Sequence, residues 1–166
     1  MRKIRYALPL LCWVLLLAVL SSQSYHKQTI IPYLKEKVTK QELSANVPDL
    51  RFRYGRDMIL AKQSPYEFLE FVFRKAAHLF VYAMLGGLGY IALLPYRLPK
   101  GLRFLLAFLL VAFPAFLDEL NQTHSTMRKG TLQDVGLDCV GGLIGLLLCK
   151  SAALLWRRTK SKAVSS

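Results

Sequence analysis

Charge is missing from two long stretches of the chain and nearly missing from two more. Residues 6–25 carry none, and residues 76–96 carry none beyond a neutral His78. Residues 104–117 carry none, and residues 135–149 carry only Asp138. About 20 mostly apolar residues cross ~30 Å of hydrocarbon as a helix. The first two runs meet that length outright, and the last two meet it with their polar ends included. The pattern predicts an all-α, polytopic membrane protein in one domain, 1–166. Its four transmembrane helices fall at about 5–23, 71–94, 103–121 and 132–149.

The loop between the first two helices, 24–70, is longer than most connections and is expected to be structured. Within it, "QTIIPYLKEKVTKQEL" sets Ile30, Ile31, Leu34 and Val38 at helical spacing among charges. That predicts an amphipathic helix, lying on the membrane surface or packed on the bundle. "LRFRYGRDMIL" alternates Leu50, Phe52 and Tyr54, then has Gly55, then Met58 and Leu60, which predicts a short hairpin. "SPYE" is a helix start: Ser64 to cap, Pro65 for the first helical position, Glu67 to close a capping box. The second helix is therefore expected to begin near residue 65, outside the bilayer. "TLQD", residues 131–134, is a weaker version of the same signal.

Composition agrees, with 54% hydrophobic residues. The net charge of +13 is not spread evenly. With the N-terminus inside, residues 1–5, 95–103 and 150–166 hold many Lys and Arg and no Asp or Glu, whereas loop 24–70 mixes both signs. The positive-inside rule then puts both termini in the cytoplasm of a multi-pass cell-membrane protein, with a basic tail at 150–166. Basic residues confined to the flanks of apolar runs argue against a nucleic-acid partner. "MRKIR" before an apolar run also fits a signal peptide. The run is long for that and "LSSQS" is a mediocre cleavage site, so the segment is read as a retained span. Cys12, Cys139 and Cys149 all fall within spans, so no disulfide framework is expected.

Four of the ten acidic residues, Asp118, Glu119, Asp134 and Asp138, cluster at the edges of the last two apolar runs. Depth explains their placement. The second helix descends from outside, so Lys75, His78 and Tyr82, at i, i+3 and i+7, share a face in its outer half. The third helix rises to Asp118, Glu119 and Gln122. The fourth descends again, with Asp134 and Asp138 at i, i+4, and Arg128 lies in the loop between them. Three helices thus bring polar groups to one leaflet level, and such groups in a membrane usually face the bundle and find partners. Below them Gly86 and Gly89 on one helix, and Gly141, Gly142 and Gly145 on another, suit close helix approach. Blander readings stand beside this one: Asp134 as a helix cap, Asp118 as a solvated helix end, Lys75 as a snorkelling interfacial lysine, and the whole set as structural salt bridges.

The same residues carry a resemblance. "RKAAHLFVYAMLGGL", "DELNQ", "RKGTLQDVGLDCVGGLIG" and the "SSQ" after the first helix resemble, in order and spacing, the signatures of VanZ-like membrane proteins. Asp138 departs from that pattern, which leads one to expect Asn there. The family's namesake is associated with low-level resistance to the glycopeptide teicoplanin, so the resemblance implies a role at the cell envelope. Two functions follow as expectations. One is a membrane factor whose outer-leaflet polar pocket binds a membrane lipid, a lipid-linked cell-wall component or the acylated antibiotic itself. The other is an enzyme in which His78, Glu119 and Asp134 or Asp138 perform acid–base work or hold a divalent metal on a lipid-linked substrate. Lys75, Tyr82, Asp118, Gln122, Arg128 and Asp138 are then the expected binding residues, and no motif names a cofactor.

Overall fold

The computed structural model describes residues 3–23, 28–55, 57–123 and 131–164, with only the backbone described for 121–123 and 157–164. Among these residues there are six helices and one hairpin: α1 (Ile4–Ser22), α2 (Ile31–Lys37), α3 (Lys40–Asn46), β1 (Arg51–Tyr54), β2 (Asp57–Leu60), α4 (Pro65–Ala92), α5 (Lys100–Thr123) and α6 (Leu132–Val164). The protein is mostly helical, as the apolar runs predict. Three helical stretches are long and apolar enough to cross a membrane: Ile4–Ser22, Lys100–Leu120 and Leu132–Trp156. Helix α4 is not among them, because Glu67, Glu70, Arg74, Lys75 and His78 dilute its first half.

Helix α4 is nonetheless the centre of the bundle. It packs along α6, and also meets α5 and α1. One core cluster joins Tyr82, Leu85, Val111 and Ala115, with Leu10, Trp13 and Leu17 of α1 laid against it. A second joins Tyr90, Ala107 and Leu146 nearer the other end. Helix α1 buries none of its residues fully. It docks through Trp13, whose indole N–H donates to the Val81 carbonyl oxygen at 2.9 Å and whose ring meets Phe80 edge-on. Large apolar side chains such as Leu105, Phe113, Leu117 and Leu148 stay on the outside. So much contiguous apolar surface is unlike a water-soluble monomer and suits a hydrocarbon surround.

Glycine makes the α4–α6 contact close. A Cβ at Gly86 would meet the Gly142 carbonyl oxygen, one at Gly141 that of Leu79, and one at Gly145 that of Ala83. Gly89 serves a different contact, facing Ala107 and Leu110 of α5.

The amphipathic segment is two helices rather than one. It breaks at Val38, and Thr39 starts α3 with a capping box: its hydroxyl accepts from the Glu42 N–H, and the Glu42 carboxylate accepts from the Thr39 N–H at 3.1 Å. Two orphan donors are satisfied reciprocally, which favours restarting the helix over continuing it. Hydrogen bonds from the Thr39 side chain, then its backbone, hold the Glu42 carboxyl below its usual value. A depressed folded-state value means this support is present above the ordinary carboxyl range and is lost as pH falls through it. Protection of the backbone amides of residues 40–46, taken relative to the unstructured-chain rate at the same pH, is therefore expected to fall in acid, and Thr39→Ala to remove most of that pH dependence. Equal exchange in both proteins at every pH would count against the box.

At Pro65 the helix starts where expected, with Pro at the first position, but Ser64 makes no capping bond. The hairpin pairs Arg51 with Leu60, Phe52 with Ile59, Arg53 with Met58 and Tyr54 with Asp57. Gly55 sits in its turn at φ 61, a left-handed conformation open to glycine. Finally, α6 runs on to Val164, so the basic tail is helical through most of its length. Residues 146–164 contain neither Gly nor Pro to stop it.

Candidate functional site

The hairpin end of the bundle collects the polar groups of α4, α5 and α6, with one contribution from α1. Lys75 forms an ion pair with the Asp134 carboxylate. The Tyr54 hydroxyl donates to the same Asp134 oxygen at 2.7 Å, bringing the hairpin onto the start of α6. Lys75 also lies over the rings of Tyr54, at 4.5 Å, and Phe71, at 5.4 Å. Burial first, and then the bond to anionic Asp134, raise the Tyr54 phenol above its ordinary value, so it stays a donor. Asp134 is thus a partner for Lys75 and Tyr54 rather than a simple helix cap, and Lys75 is not a snorkelling lysine.

One turn deeper, His78 Nδ1 lies 3.2 Å from Asp138 Oδ1. Asp138 is only 1% exposed. The His78 ring stacks on Tyr82 at 6.3 Å between centroids. From the other side, the Ser21 hydroxyl of α1 donates to Asp118. Asp118 and Glu119 are 9% and 6% exposed, so neither is a solvated helix end. Ligand atoms of His78, Asp118 and Asp138 all fall within 4.8 Å of one another. The hydroxyl of Tyr82, itself 2% exposed, and Oε1 of Glu119 are buried without a hydrogen-bond partner among the described residues.

Of the residues singled out in the sequence, the structure brings Lys75 to Asp134 and His78 to Asp138 and Asp118, with Tyr82 beside them. Glu119 is buried at the same helix end. The Gln122 side chain and the whole of Arg128 lie outside the described residues. The Asp138 departure has a visible consequence: a carboxylate faces the imidazole where an amide would offer no charge.

A cavity of about 520 Å³ opens beside this group, between α1 and α4. Leu17, Leu20, Phe73, Ala77 and Val81 make its apolar wall, and Ser21, Gln23, Gln28, Glu70, Arg74, His78, Tyr82 and Asp118 its polar lining. A smaller recess of about 190 Å³ sits on the hairpin side, against Tyr54, Lys75 and Asp134. Glu70 borders both and was not singled out in the sequence. It is 7% exposed and accepts from the Thr29 hydroxyl and, at 3.2 Å, from the Ile30 N–H. Its signal was there, since Glu70 is flanked by Leu69 and Phe71 much as Glu119 interrupts an apolar run.

A family model described as VanZ/LLP1 matches residues 6–156. The chain belongs to the VanZ/LLP1 family. The match takes in α1, the loop with its hairpin, α4, α5 and α6 to Trp156, so every polar group above lies within the VanZ/LLP1 region. No curated protein and no solved structure matches the chain.

Proposed function

We propose that this VanZ/LLP1-family chain is a four-span protein of the cell membrane with both termini cytoplasmic. In this reading it lowers sensitivity to the acylated glycopeptide teicoplanin by binding an amphiphile, with the headgroup in an outer-leaflet polar pocket. Helix α4 supports the fourth span. Its 28 residues extend about 42 Å. That exceeds the ~30 Å of hydrocarbon, so its charged first turns stand clear while the remainder crosses. The distribution of Lys and Arg supports the orientation.

The observation that carries the binding reading is the cavity between α1 and α4. Its volume is in the range of small-molecule sites, and its wall is apolar with a polar group at one end. That is the shape of an amphiphile: a chain along Leu17, Leu20 and Val81, and a headgroup at His78, Tyr82 and Asp118. Teicoplanin carries an acyl chain and vancomycin does not, so an amphiphile site discriminates between them. The test is susceptibility to both drugs in a sensitive Gram-positive host expressing wild type, His78→Ala or Glu119→Gln, with membrane levels checked by blot. Protection is expected against teicoplanin alone, and both variants are expected to fall to the empty-vector level at normal abundance. Equal protection against the two drugs sinks the amphiphile reading.

The His78–Asp138 pair favours a second reading, a membrane-embedded enzyme. An imidazole held by a buried carboxylate is suited to proton transfer. It predicts turnover of a lipid-linked headgroup by purified protein, lost in His78→Ala, whereas the binding reading predicts saturable uptake without product.

A further inference from the structure

The wall of the cavity is apolar, its lining carries Arg74 and Glu70 with opposite charges, and the group gathered at His78 is acidic. Asp118 and Asp138 approach one imidazole there, and both are buried. Lys75 is engaged with Asp134. Two buried carboxylates facing one another are costly unless a cation joins them. His78 supplies at most one positive charge.

We propose that His78, Asp118 and Asp138 bind a first-row divalent metal ion at the polar end of the cavity, and that the ion presents the pocket to a phosphate-bearing headgroup.

The donor set is one imidazole nitrogen and two carboxylate oxygens. Imidazole favours Zn²⁺ over Ca²⁺, which prefers oxygen donors alone, and the two carboxylates also suit Mn²⁺. Metal–ligand bonds of about 2.0–2.2 Å place neighbouring ligand atoms roughly 3–4 Å apart. The 3.2 Å between His78 and Asp138 is already in that range, and the 4.8 Å outer limit closes by about an ångström as an ion draws the carboxylates in. The three ligands come from α4, α5 and α6, so the ion would join three helices at one point. Ser21 already holds one ligand from outside the set by donating to Asp118, the orienting role that second-layer hydrogen bonds play around metals.

Tyr82 is the independent sign of a ligand. Its ring stacks on His78 and it borders the cavity, and its buried hydroxyl has no partner among the described residues. A buried hydroxyl without a partner costs stability. A water or phosphate oxygen on the ion would satisfy it. The three protein ligands leave coordination positions open for such an oxygen, as in catalytic rather than structural zinc sites. The ion cancels the charge of the two carboxylates and keeps an open coordination position that accepts a phosphate oxygen.

The inference rests on the pocket reading for its substrate class, but the metal itself is measured separately. Full-length protein purified in detergent is equilibrated with Zn²⁺ or Mn²⁺, desalted, and its metal content measured by mass spectrometry. Wild type and a control on the exposed helix α3, Glu42→Gln, are expected to keep about one ion per chain. His78→Ala and Asp138→Asn are expected to bind at least about tenfold more weakly. If either variant fails to fold, melting of the wild type decides: added Zn²⁺ or Mn²⁺ must raise its melting temperature and a chelator must reverse the rise. No stoichiometric ion in wild type, no metal-dependent rise, or equal retention by folded His78→Ala and Asp138→Asn overturns the site. Protein that holds the ion but gives no teicoplanin protection leaves the metal site standing and sinks the antibiotic reading. Protection by metal-free protein does the reverse.

Discussion

Replacing Gly145 with valine will break the bundle. The atom that a Cβ would strike is the Ala83 carbonyl oxygen, part of the α4 backbone, which has no rotamer to yield. Gly86 and Gly141 make the same kind of approach, to Gly142 and Leu79, so α4 and α6 touch backbone to backbone along three successive positions. Valine forces the two helices apart, and the loss spreads along their whole contact. In a bilayer no hydrophobic term drives the helices back together, so close packing of small residues carries the association. Overpacking costs about 1–3 kcal/mol in a soluble core. Here the cost is expected at or above the top of that range. The checks are membrane abundance by blot and melting of the detergent-solubilised protein. Gly101→Ala and Gly136→Ala serve as controls, because a Cβ at either position meets nothing within 4 Å. Gly145→Val with wild-type abundance and melting would falsify the close approach.

Removing the Lys75 charge is the other large effect. In Lys75→Met the Asp134 carboxylate keeps the Tyr54 hydroxyl but loses its cation, in a place where both side chains of the pair are mostly buried. Stranding one member of a buried pair costs about 3–5 kcal/mol. For a chain of this size that corresponds to a fall in melting temperature on the order of 10 °C. The companion variant is the more informative one. Lys75→Met with Asp134→Asn removes both charges, and replacing a buried pair by neutral groups is often nearly without cost. Most of the lost melting temperature is expected to return. A double variant as unstable as Lys75→Met alone would place the role of Lys75 elsewhere, in its stacking over Tyr54 and Phe71.

What could be read in the sequence follows a physical division. Periodicity shows which residues share a face, and so Lys75, His78 and Tyr82 could be placed on one side of a helix, and Asp134 and Asp138 on one side of another. It does not show what stands opposite. That depends on how far each helix is rotated and where it crosses its neighbour, and a turn of one residue would exchange the partners. Hence the gathering of polar groups at one end was legible, but the pairing of Lys75 with Asp134 and of His78 with Asp138 was not. Gly89 illustrates the same limit: it lies on the glycine-bearing side of α4 yet faces α5. Asp118 was legible as a buried-end carboxylate only through the short apolar run before it, and its donor Ser21 only as part of the short polar stretch that ends the first apolar run. The hairpin was readable because Gly55 sits between two alternating runs. The break between α2 and α3 was missed because the Thr39–Glu42 box lies inside an otherwise continuous apolar pattern, where local capping outweighed periodicity. The long α6 was cut short at the end of its apolar stretch, although nothing in the following residues stops a helix.

The ties of α1 reach far along the chain: Trp13 to Val81, and Ser21 to Asp118. Lys75 and His78 of α4 find their partners on α6, which is made later. In the four-span reading this sets a chronology for synthesis. Helix α1 leaves the ribosome ahead of the helices it packs on and enters the bilayer on its own hydrophobicity, long before Val81 or Asp118 exists. Helix α4 emerges with Lys75 and His78 uncompensated and is the segment least able to enter unaided. It must wait beside the translocation channel until α6 delivers Asp134 and Asp138. The final integration of α4 and α6 is therefore one joint event, and a ribosome stalled before residue 132 would leave α4 at the membrane surface rather than across it.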